Sequence, residues 1–167
     1  MAGPLIVTAE LGSEDLAWLN DLRRRHYPAE RNQLPAHLTM FHALPPSAEQ
    51  EIRQVLAGLA ARPAPRAFIA GVMDLGGGAA FRIASDELDN IRAEIAGRLT
   101  GLLTAQDRAG WSAHVTIQNK VPPREAKTLI RALANQFDRR PVRIAGLGLH
   151  RYLGGPWKTL RTYSFRG

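Results

Sequence analysis

The sequence predicts an α+β fold of two pseudo-symmetric lobes, each an antiparallel sheet covered by helices, with a central cleft. Three observations carry this. Strand-like and helix-like patterns alternate along the chain, the stretch AHLTM at 36–40 returns as AHVTI at 113–117, and the two halves superpose on a single offset of 77. On that offset His37 meets His114, Thr39 meets Thr116, and the pair Pro45–Pro46 meets Pro122–Pro123. Residues 1–90 laid over 78–167 without gaps give 18 identities, where composition alone gives roughly six in such a self-comparison. No linker separates the halves, so residues 1–167 are expected to form a single domain of two duplicated lobes, with motifs at 37–40 and 114–117.

In chain order, PLIVTAEL (4–11) has the β-branched, apolar character of a strand. SEDLAWLNDLRRRHYP comes next as a helix, with Ser13 as N-cap, acids in its first turn and arginines in its last. AHLTMFHAL (36–44) is a strand stopped by Pro45 and Pro46. Ser47 is expected to cap a helix reaching about Ala61, with Ile52, Val55, Leu56 and Leu59 on one face. RAFIAGVMDL (66–75) and AAFRIA (79–84) form strands around Gly76–Gly78, which lack the Lys-Ser/Thr helix start of a phosphate loop and therefore make a hairpin turn. The series then recurs: a helix over 85–104 capped by Ser85, the strand AHVTIQNKV (113–121), a helix to about Phe137, and strands at 142–153 and 157–165.

Composition bounds the function. With 45% hydrophobic residues the chain has enough apolar side chains for one ordinary core. A formal net charge of +7 favours polyanionic partners such as RNA or nucleotides. There are no cysteines, which excludes disulfides and thiolate metal sites and fits the cytoplasm. The opening MAGPLIVTAELG lacks a positively charged leader and no run approaches membrane-spanning length, so neither signal peptide nor membrane association is expected.

The repeated motif permits a specific chemistry. Alternation along a strand turns His37 and Thr39 one way and Leu38 and Met40 the other; His114 and Thr116 likewise oppose Val115 and Ile117. Two imidazoles with two hydroxyls around one cleft suit phosphodiester cleavage. One neutral His takes a proton while the other, protonated, gives one to the leaving oxygen. The threonine hydroxyls donate to the non-bridging phosphate oxygens. The scheme needs no metal and no cofactor.

The two motifs, their spacing and the two-lobed repeat resemble the 2H phosphoesterase superfamily, also called the 2′-5′ RNA ligase family, over essentially the whole chain. The resemblance implies a metal-independent site in the cleft, with His37 and His114 the catalytic pair and Thr39 and Thr116 the phosphate ligands. It also implies substrates among the 2′,3′-cyclic or 2′-5′ phosphodiesters of RNA ends and nucleotides, with reverse ligation in some members. Relatives often carry an Arg five positions beyond the second His, where this chain has Asn119. Strand parity puts the next residue, Lys120, on the His114 face, as a replacement cation.

Further candidates come from position. Phe41 and Gln118, equivalent on the offset and four residues beyond each His, are expected to face the cleft and contact base or ribose. Tyr152, Trp157, Arg161 and Tyr163 gather in the last hairpin, with Tyr152 and Trp157 placed to clamp a nucleotide. Parity turns His42 away from His37, and His26 and His150 read as structural or surface residues. The run Arg23–Arg25 reads as a solvated helix end. Two rivals stand beside the hydrolase. One is an RNA- or nucleotide-binding module without catalysis. The other is a metal-dependent enzyme, which is weak because neither motif has a carboxylate or second His at ligand spacing. A monomer is expected.

Overall fold

The computed structural model describes residues 3–167. Its elements in chain order are β1 (Leu5–Leu11), α1 (Ser13–His26), β2 (Leu38–Leu44), α2 (Glu49–Ala60), β3 (Arg66–Asp74) and β4 (Ala79–Ala84). Then come α3 (Asp86–Arg98), the one-turn α4 (Ala105–Arg108), β5 (His114–Gln118), α5 (Pro123–Asn135), β6 (Arg140–Tyr152) and β7 (Trp157–Ser164).

All strand pairings are antiparallel, and the order is β2-β1-β6-β3-β4-β5 with β7 also on β6. The 13-residue β6 joins two half-sheets. Its first residues, Arg140–Arg143, pair with β3, and its remainder pairs with β1 on one side and β7 on the other. Each half of the chain was expected to build its own sheet; instead the halves exchange strands. The physical reason lies in the turns. Leu75 N–H donates to the Gly78 carbonyl at 2.9 Å, and Gly76 supplies the left-handed φ of +84°. That tight hairpin makes β3 and β4 neighbours although they belong to different repeats, and β6 and β7 are tied the same way.

The offset of 77 holds for the motif strands and for the elements after them, but not for the first strand of each repeat. Thr8 faces Thr39 while Ala80 faces Thr116, an offset of 72. The five-residue difference falls between α3 and β5. Here the helix expected to reach residue 104 stops at Arg98, Gly101 takes a φ of +86° and Leu102 is exposed. Two expected caps also differ. Ser13 is already helical, with Gly12 at the N-cap, and a 3₁₀ turn at Pro46–Ala48 leads into α2 without a side-chain cap from Ser47. Ser85 does cap α3, its Oγ accepting from Leu88 N–H at 3.0 Å.

The core obeys the predicted alternation. Leu38 and Met40 of β2, Val115 and Ile117 of β5, Ile52 and Leu56 of α2, and Leu88 and Ile95 of α3 are all fully buried. Although β2 and β5 stand at opposite ends of the strand order, they touch each other, and α1 packs on β5. The curled sheet thus brings the two motifs to one cleft. No helix among the described residues is long and apolar enough to cross a membrane.

Candidate active site

The two motif strands carry the same irregularity. Along β2, Thr39 faces Thr8 but Phe41 faces Val7, so Met40 is an extra residue. Along β5, Thr116 faces Ala80 but Gln118 faces Ala79, so Ile117 is the extra one. Each is a β-bulge placed directly after the threonine, and each resets the alternation of side chains beyond it.

The bulges explain why several predicted contacts are not in the cleft. Phe41 is completely buried beneath the Arg92 guanidinium, which lies 4.3 Å from its ring centroid. Gln118 is also buried, and its Oε1 has no hydrogen-bond partner among the described residues. Neither lines the cavities at His37. Lys120 is displaced for a related reason: β5 ends at Gln118, and Lys120 sits exposed in a turn with φ +65°. Asn119, not Lys120, lines the cleft. Tyr152 is exposed at the end of β6, away from the motif histidines' cavities.

Other predicted residues do meet. His37 and Thr116, from opposite motifs, line one cavity of about 310 Å³ together with Arg23, Tyr27, Arg31 and Asn119. On its other side His37 borders a second, narrower cavity of about 190 Å³, with Trp157, His150, Thr159, Thr8 and Glu10. The Trp157 ring meets the His37 ring edge-on, centroids 4.7 Å apart.

Both motif histidines are oriented by the same device. His37 Nδ1 lies 2.8 Å from the Pro35 carbonyl oxygen, and His114 Nδ1 lies 2.8 Å from that of Ser112. A carbonyl only accepts, so each Nδ1 carries a proton and each Nε2 is left as the nitrogen for proton exchange. Burial pushes the His37 pKa down to about 4; the Pro35 carbonyl opposes the shift, and the charges of Arg23, His150 and His114 add to it. The cross-strand neighbour of His114 is Arg82, an exposed cation.

The floor of the narrower cavity is a polar chain that the sequence did not suggest. Thr8 Oγ1 donates to Glu10 Oε2 at 2.6 Å, so it accepts from His150 Nε2–H at 2.8 Å, and His150 Nδ1 meets Thr159 Oγ1 at 3.0 Å. Burial raises the Glu10 pKa, but the His150 ring, its Nε2 3.8 Å from Oε2, and the Thr8 hydroxyl outweigh it and hold the carboxyl below its usual range. Gly148 makes room for this chain: a Cβ there would stand 2.7 Å from both His150 Nε2 and Thr8 Oγ1. The signal was available as the polar pair Thr8 and Glu10, two apart on one apolar strand, and as His150 two beyond Gly148 on another.

Arg23 departs from its expected place as well. Arg24 and Arg25 are exposed and pair with Asp21, whereas Arg23 is only 4% exposed and reaches the cleft. His42 stands apart from the cleft. Its Nδ1 and backbone N–H, with the Ala43 N–H, bind the carboxylate of buried Asp107, which covers the free edge of β2. Among the described residues, no group of three or more His, Asp or Glu side chains is arranged to hold a metal ion.

Comparison with known proteins places this chain in a class of phosphoesterases. The model of the 2′-5′ RNA ligase superfamily matches residues 12–156, and the chain belongs to that superfamily, the 2H phosphoesterases. The fold is shared with TT0787 of Thermus thermophilus (TM-score 0.69, 17% identity, 98% of each chain covered). It is shared also with E. coli LigT complexed with 3′-AMP (TM-score 0.64, 12% identity, 100% of each chain) and with NADP+ (TM-score 0.61, 15% identity, 99% of each chain). No curated protein matches the sequence.

Proposed function

We propose that the cleft hydrolyses a 2′,3′-cyclic or 2′-5′ phosphodiester of an RNA end or nucleotide, using His37 and His114 as a proton-transfer pair. The observation that carries this reading is the matched orientation of the two rings. Each Nδ1 is committed to a carbonyl at 2.8 Å, which leaves the Nε2 of both motif histidines free for proton exchange, and the His114 charge is felt at His37.

With a cyclic phosphate bound, a water oxygen forms a bond to phosphorus as one ribose P–O bond breaks. The water proton passes to a neutral Nε2, and the leaving ribose oxygen takes a proton from the other, protonated ring. His37, with its pKa pushed to about 4, is neutral at physiological pH and fits the acceptor role; His114 is then the donor. Thr39 and Thr116 donate to the non-bridging oxygens as charge gathers there. Trp157, edge-on beside His37, walls the narrower cavity on the His37 side. LigT has been crystallised with 3′-AMP, NADP+ and ATP, which supports a nucleotide as the ligand class.

A product-resolved assay tests the proposal. The panel contains 2′,3′-cyclic nucleotides, 2′-5′ dinucleotides and ADP-ribose cyclic phosphate, each with and without chelator. Ring opening to a single phosphomonoester, undiminished by chelator, is expected. Tight binding with no product over long incubation would instead make the protein a nucleotide-binding module. Loss of activity in chelator, restored by zinc or manganese, would make it a metal enzyme.

A further inference from the structure

We propose that Arg23 of α1 is a phosphate-binding residue of the cleft, contributing the cation that holds a non-bridging oxygen beside Thr116. The proposal rests on reading the cleft as a phosphodiester site, and four observations carry it. The first is that Arg23 is buried, at 4% exposure, yet lines a cavity with His37 and Thr116. Second, it has no acidic partner among the described residues. Its Nε donates to the side-chain oxygen of Asn32 at 3.1 Å, one Nη1 proton goes to the Thr116 carbonyl at 2.9 Å, and the Tyr27 ring lies beneath it at 4.4 Å. All three neighbours are neutral. A guanidinium carries five N–H groups, so three remain after these contacts.

Third, a buried cation without a counter-ion is costly, and an anionic ligand removes that cost. Fourth, tethering the strand does not require a charge. The Thr116 carbonyl has a counterpart at Thr39, beside the other bulge, and there the donor is neutral: Trp111 Nε1–H bonds Thr39 O at 3.1 Å, while Arg92 of α3 reaches the next carbonyl, Met40 O, at 3.2 Å and lies on buried Phe41, lining neither cavity at His37. On the offset of 72 that holds before the motif strands, the position equivalent to Arg23 is the buried Ile95 of α3, so no cation stands at that position in the other repeat. Arg23 thereby occupies the role for which the sequence offered Lys120, now placed in an exposed turn.

The test uses inorganic phosphate as the probe, with the full chain as wild type, Arg23→Met and Arg23→Lys. Folding is checked by circular dichroism, and phosphate affinity is read by calorimetry. Arg23→Met is expected to weaken phosphate binding by about thirtyfold or more and to raise KM for a cyclic nucleotide, with Arg23→Lys recovering part of the loss. Folded Arg23→Met that binds phosphate within about twofold of wild type would overturn the proposal, because a purely structural arginine changes melting and not anion affinity. Should both variants fail to fold, the side-chain nitrogen resonances of Arg23 in the wild-type protein serve instead. They must move on phosphate addition, and an unmoved Arg23 signal at saturating phosphate contradicts the assignment. Turnover with no Arg23 response sinks this inference alone. Phosphate bound at Arg23 without turnover of any substrate sinks the hydrolase reading alone.

Discussion

The ring of Trp157 stands edge-on against that of His37, centroids 4.7 Å apart, and 5.5 Å from that of His150. An indole here does two things at once. It excludes water from one side of the His37 ring, and it walls the narrower cavity. Trp157→Ala should therefore return the His37 pKa toward its ordinary value by about one unit or more, and lower turnover at neutral pH by about tenfold. An NMR titration of the His37 ring, set beside steady-state kinetics, reads both. An unmoved pKa would mean that other walls of the site supply the desolvation.

His37 also makes the fold sensitive to acid. In the unfolded chain its ring takes a proton near the ordinary value of about 6.5; in the folded protein it does so only near 4. Between these values the unfolded state binds more protons, so stability falls as pH falls through the window and is fully present above it. The loss on reaching pH 4 is on the order of 3 kcal/mol from this one group. Urea melts at pH 7 and about pH 4.5 should show a smaller acid loss in His37→Gln than in wild type. Equal losses in both proteins would contradict the burial argument.

Phe41 separates the two meanings a residue just past the motif can have. It is fully buried, so Phe41→Ala should cost about 3–5 kcal/mol of stability in a urea melt, through lost transfer energy and an unfilled cavity. A variant that kept its stability but lost substrate affinity would restore Phe41 to the cleft.

That contrast shows where the sequence is legible and where it stops. The elements, the hairpin at Gly76–Gly78 and the burial of Leu38, Met40, Val115 and Ile117 all come from local pattern, because alternation and turn chemistry are set by near neighbours. The bulges at Met40 and Ile117 have no such signal, and one extra residue in each strand was enough to bury Phe41 and Gln118. The strand exchange was hidden for a different reason. An ungapped repeat says which segments are alike, but not whose sheet each joins. Arg23 was misread because its neighbours Arg24 and Arg25 are solvated and the helix turns only it toward β5.

The central claim is that His37 and His114 transfer protons as a pair, and turnover of a 2′,3′-cyclic nucleotide by His37→Ala and His114→Ala tests it most directly. Each substitution is expected to lower kcat by about a thousandfold or more while near-ultraviolet circular dichroism stays native. Removing both together should cost little more than removing either one, as befits groups acting as a unit. A natively folded single variant that turns over the substrate at the wild-type rate would contradict the account.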